Sequence, residues 1–330
     1  MTSPAPAADP APILVLDQVS KQFAGHTAVD DLSLAVPPGA VYGLLGPNGA
    51  GKTTTIRMIM DILQPDSGTV RLFGDGARGR LHSARVGYLP EERGLYRKMR
   101  VLDVLVFLGE MKGVTRRGAR GRAREWLERL GLADWRMRRI EELSKGMQQK
   151  VQFISTVLHD PDLVILDEPF SGLDPVNAQA LKDVVVDLHR RGKTIVFSTH
   201  IMEQAEKLCD QLVIIARGRK LVDGPLADIK RTRGGHHLVI GFDGDAGGGA
   251  GAAARLFGDP RLVTKVDYYG QYAELELAPG ADAQQVLREL VAAGVRLARF
   301  ELQEPSLHKI FIDLVGSEEA TARPDGEPSP

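Results

Sequence analysis

The run Gly46-Pro47-Asn48-Gly49-Ala50-Gly51-Lys52-Thr53-Thr54 sets glycines, a lysine and hydroxyls at the spacing of a phosphate-binding P-loop. Glycines let successive backbone N–H groups turn toward phosphate oxygens, and a helix that starts after them adds its positive dipole end. Lys52 is then placed to reach β- and γ-phosphates, Thr53 offers the hydroxyl that such loops set on Mg²⁺, and Thr54 can reach a further phosphate oxygen. The plainer reading is a glycine-rich turn that binds nothing. The full match, with a strand before it and a helix after it, argues for a nucleotide site instead.

Leu163-Val164-Ile165-Leu166-Asp167-Glu168 is a buried-strand run ending in adjacent carboxylates, the pattern of a Walker B strand. Asp167 is the expected Mg²⁺ ligand, acting through water. Strand alternation turns Glu168 the other way, where it can orient and deprotonate an attacking water. A solvated turn is the bland alternative, and the P-loop in the same chain weighs against it. Leu143-Ser144-Lys145-Gly146-Met147-Gln148 precedes an apolar helical stretch, so Ser144 and Gly146 could form a second phosphate-binding helix end, although alone they would pass for an ordinary cap. Thr194 to His200 reads as a buried strand ending in a histidine. A lone histidine there is usually structural, but a strand parallel to that of the P-loop would bring His200 to the same crevice, within reach of a γ-phosphate. Phe23, in a connection ahead of Gly25, could stack on a base, though an isolated phenylalanine is more often core.

The elements that must position these groups follow from periodicity. Ala40 to Leu45 reads as the P-loop strand and Thr54 to Leu63 as the helix it opens. Ile13 to Val36 alternates as antiparallel strands, and Thr69 to Phe73 and Val86 to Leu89 are further strands. Leu102 to Met111 starts a helix-rich block reaching about Glu142, and Val151 to Leu158 is an apolar helix.

The chain has 330 residues, 43% of them hydrophobic, enough for one large and one small domain with a real core. Its 42 basic residues balance 43 acidic ones, so nothing global points to nucleic acid. The single Cys209 cannot close an internal disulfide, which suits a reducing, cytoplasmic setting. Met1 to Pro12 is Ala- and Pro-rich without a basic start and is expected to be a disordered tail. No apolar run reaches the length of a membrane span, so a membrane role is expected to come through a partner. The helical block carries Arg116, Arg117, Arg120, Arg122, Arg124, Arg129, Arg136, Arg138 and Arg139. With few aromatics among them, a solvated helix face is preferred to a nucleic-acid patch.

Together these residues resemble the ATP-binding subunit of an ABC transporter. In that resemblance Phe23 is the A-loop aromatic, Gly46 to Thr54 the Walker A, Leu143 to Gln148 the signature, Leu163 to Glu168 the Walker B, Ser171 to Asp174 the D-loop with Asp174 at the nucleotide, and His200 the switch histidine. The signature departs from the common pattern at Lys145 and Met147. Glu91 stands where a Q-loop glutamine usually contacts Mg²⁺ and water. The stretch Pro90-Glu91-Glu92-Arg93-Gly94-Leu95-Tyr96 and the extra C-terminal region are similar to the ABC-2 type exporter branch, that of drug resistance and sodium efflux.

The resemblance implies an α/β P-loop NTPase with an antiparallel β subdomain and a helical subdomain (about 100–160), spanning 13–232. It also implies ATP and Mg²⁺ as ligands and hydrolysis at Glu168. One chain supplies one Walker A and one signature, so two subunits must sandwich two ATP, a homodimer being favoured over a heterodimer. The dimer would drive a separate ABC-2 type permease from the cytoplasmic face of the membrane, with 91–98 as the candidate contact. Beyond Gly235 the pattern reads β-α-β-β-α-β, a small ferredoxin-like α+β accessory domain over 236–316, followed by a disordered tail over 317–330. His236-His237 could suggest metal, but no other ligand cluster is nearby. The competing reading is a soluble ABC ATPase acting on nucleic acid or the ribosome; a third is a nucleotide-binding regulator with little turnover. No nucleic acid partner is expected.

Overall fold

The computed structural model describes residues 11–74, 79–92, 94–233, 237–243, 253, 255–270, 272–278, 280–303 and 306–321. The chain divides into two units, Met1–Pro225 and Leu226–Pro330. Arg93, His236 and the outermost parts of both expected tails lie outside the described residues.

In the first unit, β1 (Leu14–Phe23) pairs antiparallel with β2 (His26–Val36), and the chain then leaves for a second sheet through β3 (Val41–Leu45). It returns as β4 (Ser67–Leu72) on the other edge of β1. Phe23 closes β1 rather than lying in a connection. The second sheet contains β5 (Val86–Leu89), β6 (Leu163–Leu166), β7 (Thr194–Thr199), β8 (Gln211–Ala216) and β9 (Arg219–Pro225), in the order β5-β6-β7-β3-β8-β9. All but the edge strand β9 run parallel. Every residue of β3, β6 and β7 is buried, as a parallel sheet covered on both faces requires. Since β6, β7 and β3 are neighbours, the loops leaving their C-terminal ends converge.

Helix α1 (Lys52–Ile59) begins earlier than periodicity alone indicates, because Gly51 turns the chain into the helix with φ 103°. A Cβ on Gly51 would lie 2.3 Å from the Ala28 carbonyl oxygen, so only glycine fits. The helical block holds α2 (Val101–Met111), α3 (Arg116–Arg129) and α4 (Lys145–Val157). Helix α3 is capped by Thr115 Oγ1, which accepts the Gly118 N–H, and buries Ala119, Ala123 and Leu127, one per turn on a single stripe. Helices α5 (Pro175–Arg190) and α6 (Met202–Leu208) follow β6 and β7.

The second unit starts with α7 (Leu226–Arg233). It contains β10 (His237–Phe242), β11 (Val263–Tyr268), β12 (Tyr272–Leu277), α8 (Ala283–Ala292), β13 (Leu297–Gln303) and α9 (Leu307–Thr321). Residues 255–257 are helical between β10 and β11. The sheet order β11-β12-β10-β13, antiparallel throughout, is that of a ferredoxin-like unit. Leu238, Ile240, Ala273 and Leu275 pack with Val286 and Leu290 of α8 in its core. Helix α9 runs to Thr321, correcting the expectation of a disordered tail from 317: Ser317 to Thr321 hold no Gly or Pro to stop it.

Candidate active site

A cavity of about 400 Å³ opens over the P-loop. The chain lines it with Asn48 to Thr54 from the loop and first turn of α1, Phe23, His26 and Ala28 from the β1–β2 hairpin, Glu91 from the segment after β5, and Glu168 from the end of β6. Phe23 is exposed, as a stacking surface would be. Lys52, in contrast, is buried: its ammonium donates to the carbonyls of Gly46 at 2.8 Å and Pro47 at 3.2 Å, and pairs with Glu168 Oε1 at 3.4 Å.

Strand alternation does not separate the two carboxylates, since β6 ends at Leu166 and Glu168 adopts a left-handed φ of 47°. Residues of this kind hold strain at functional sites. Here the twist sends Glu168 to Lys52 and to His200, whose Nδ1 lies 3.0 Å from Glu168 Oε1. Asp167 goes to Thr53 and Ser198. Its Oδ1 accepts from Ser198 Oγ at 2.6 Å and from Thr53 Oγ1 at 3.3 Å, and its buried Oδ2 has no partner among the described residues. Burial raises the Asp167 carboxyl above the usual range, opposed by these two hydroxyl bonds. An unpartnered buried carboxylate oxygen beside the P-loop hydroxyl suits a hard cation with oxygen ligands, so the residues present fit Mg²⁺.

The remaining expected site residues form a different cluster. Ser144 caps α4 by accepting the Met147 N–H, and Asp174 caps α5 by accepting the Asn177 N–H at 3.0 Å. The Asn177 side-chain amide also bonds Asp174 and would lie 3.2 Å from a Cβ on Gly146. Thus Ser144, Gly146 and Asp174 stand together, outside the set that lines the P-loop cavity. In the arginine-rich block, Arg122 donates to the Leu158 carbonyl, while Arg129, Arg138 and Arg139 pair with Asp187, Glu142 and Glu141.

Sequence pattern singles out neither Ser198 nor His26. Ser198 gives little signal, because Thr194 and Thr199 of the same strand also carry hydroxyls and nothing local marks the one that meets the carboxylates. His26 gave none, because its approach to the cavity depends on the hairpin returning to the P-loop.

A Bacillus subtilis (strain 168) protein, "Uncharacterized ABC transporter ATP-binding protein YhaQ", is 44% identical over 305 residues, which is 92% of this chain and 99% of its own length. The chain belongs to the ABC transporter ATP-binding proteins. The family model described as ABC transporter matches residues 29–171 of this ABC protein. A second, described as the C-terminal domain of DrrA1-3-like ATP-binding proteins, matches residues 224–315. "Daunorubicin/doxorubicin resistance ATP-binding protein DrrA" of Streptomyces peucetius is 33% identical over 303 residues, 90% of each chain. A solved structure described as the ATP binding subunit of an ABC transporter superposes with TM-score 0.61 at 32% identity, over 66% of this chain and 92% of that one. The ABC protein is therefore an ATPase, with ATP as its nucleotide. Among the described residues, no helix is long and apolar enough to cross a membrane.

Proposed function

We infer that this ATPase powers an ABC-2 type export transporter. Two copies close head to tail on two ATP molecules and drive a separate membrane permease from the cytoplasmic face. The observation that carries this reading is the separation of Ser144, Gly146 and Asp174 from the P-loop cavity: one chain offers a phosphate-binding loop and, elsewhere, an unused helix end. The likeness to a drug-resistance subunit over both units supports export.

Within the site, the P-loop N–H groups and Lys52 bind the phosphates, and Phe23 takes the base. For Lys52 to do so, its ammonium leaves the Gly46 and Pro47 carbonyls for the stronger field of a phosphate. Glu168 holds the attacking water and accepts its proton; His200, bonded to the same carboxylate, keeps it oriented. Mg²⁺, when bound at Thr53 and Asp167 with Glu91 nearby, supplies charge to offset that building on the phosphate oxygens. Ser144 and Gly146 of the second copy complete the phosphate shell with a hydroxyl and a helix N-terminus.

The test is affinity purification of the full chain from detergent-solubilised cells. A multi-spanning membrane protein in stoichiometric amount is the expected companion. Ribosomal proteins or nucleic acid that leave as salt is raised would replace this reading with that of a soluble nucleic-acid ATPase.

A further inference from the structure

The backbone ladder that orders the site stops just short of the carboxylates. Strand β5 ends at Leu89 and β6 at Leu166, and one more bond, from Asp167 N–H to the Leu89 carbonyl at 2.8 Å, closes the ladder. Beyond it each chain meets a proline, Pro90 or Pro169, which has no N–H to continue. These are the segments that carry Glu91 and Glu168.

Two glutamines of α4 take over at that point. Gln149 donates from Nε2 to the Pro169 carbonyl at 2.6 Å, and Gln152 donates from Nε2 to the Glu92 carbonyl at 3.1 Å. Both are nearly fully buried, at 9% and 5% exposure. Spaced three apart, they share one face of the helix. One turn further, Thr156 Oγ1 donates to the Tyr88 carbonyl at 3.2 Å, so the helix follows β5 into the site. The same helix begins at Ser144 and Gly146.

We propose that Gln149 and Gln152 are positioning residues for ATP hydrolysis, Gln149 fixing the Glu168 loop and Gln152 the Glu91 segment to the helix that carries the signature. This rests on the reading of Glu168 as base and Glu91 as a site carboxylate. An apolar side chain would fill the same space as either glutamine, but only a donor can hold a carbonyl in a segment that has run out of ladder. A shift of α4 as its N-terminus engages a second copy's nucleotide is then passed to both carboxylates at once. Closure and the placement of the base become one event.

The experiment measures steady-state ATPase, ADP binding by calorimetry and thermal melting on the full chain. The variants are Gln149→Met and Gln152→Met, which keep volume and lose the donor, together with Glu168→Gln, Glu91→Ala and Gln152→Met/Glu91→Ala. We expect Gln149→Met to lower kcat about ten- to a hundredfold, with KM and ADP affinity within about threefold of wild type and melting nearly unchanged. Gln152→Met should lower kcat about tenfold and add nothing in the Glu91→Ala background, because both changes remove one function. Should a Met variant fail to fold, the matching Leu variant, close in volume and without any donor, takes its place. Full-speed turnover in folded Gln149 and Gln152 variants, with Glu168→Gln silent, overturns the positioning role and leaves the site assignment intact. Loss of kcat in step with ADP affinity and melting, or variants that never fold, makes the glutamines merely structural and overturns it too. Wild-type turnover in Glu168→Gln removes the base assignment and the proposal with it.

Discussion

Ser198 Oγ lies 2.6 Å from Asp167 Oδ1 and at the same time accepts the Glu168 N–H at 2.9 Å. One fully buried hydroxyl thus fixes both carboxylates, reaching from β7 across to the end of β6. Ser198→Ala leaves a buried N–H and a buried carboxylate oxygen short of a partner. It should cost about 1–3 kcal/mol of stability. Because the base is displaced rather than removed, kcat should fall about tenfold or more while ATP affinity holds. Melting curves and steady-state kinetics on the same preparation check both.

His159 gives a pH signature. It is buried behind β5, with Nε2 3.2 Å from the Val86 carbonyl, and burial, helped by nearby Lys112, lowers its pKa from 6.5 to about 4. Folded protein therefore keeps it neutral where the unfolded chain would protonate it. Between pH 6.5 and 4 the unfolded state binds more protons, so stability drops as pH falls through that window and is insensitive to this group above it. The loss should be on the order of 2 kcal/mol. Denaturant melts at pH 7 and 4.5 should show it, and His159→Gln should flatten the slope over that range. An unchanged slope would mean that the imidazole is charged in the fold.

Gly87 and Gly121 should respond oppositely to alanine. A Cβ on Gly87 would lie 2.3 Å from the Thr156 carbonyl oxygen, so β5 can press against α4 only without one. Gly87→Ala should destabilise by about 1–3 kcal/mol and lower ATPase activity, since it pushes α4 away from the segment that carries Glu91. Gly121, inside α3, has open space around its Cβ position, and Gly121→Ala should stabilise by up to about 1 kcal/mol. Equal effects on melting at the two sites would contradict the close packing of β5 on α4.

What the sequence made legible tracks how local each signal is. The P-loop, the Walker B run and the alternation of β-α-β-β-α-β are read over a few contiguous residues, and the parallel sheet that joins them follows from their apolar strands. The direction of Glu168 was not legible, because a left-handed turn one residue past a strand overrides alternation. Ser198, Gln149 and Gln152 were not legible for another reason. Their partners lie 20 to 60 residues away, and only the crossing of β7 and α4 over the loop ends brings them together. The resemblance sets Asp174 at the nucleotide, yet within its own chain its side chain caps α5 and holds Asn177 beside Gly146.

That last placement sets up a decisive mixing experiment. If each site takes its Walker A from one chain and its signature from another, Lys52→Ala and Ser144→Phe variants are each silent alone. Mixed, they form heterodimers in which one site combines both defects and the other combines an intact Walker A with an intact Ser144. Random pairing makes about half the dimers mixed, each with one working site of two, so the mixture should recover roughly a quarter of wild-type turnover. Ser144 also caps α4, and its loss should cost about 1 kcal/mol, so melting of the Ser144→Phe chain must be followed to confirm that it stays folded. A silent mixture of two folded chains would mean that each chain completes its own site, and the Ser144 helix end would then have to be reassigned to a structural cap.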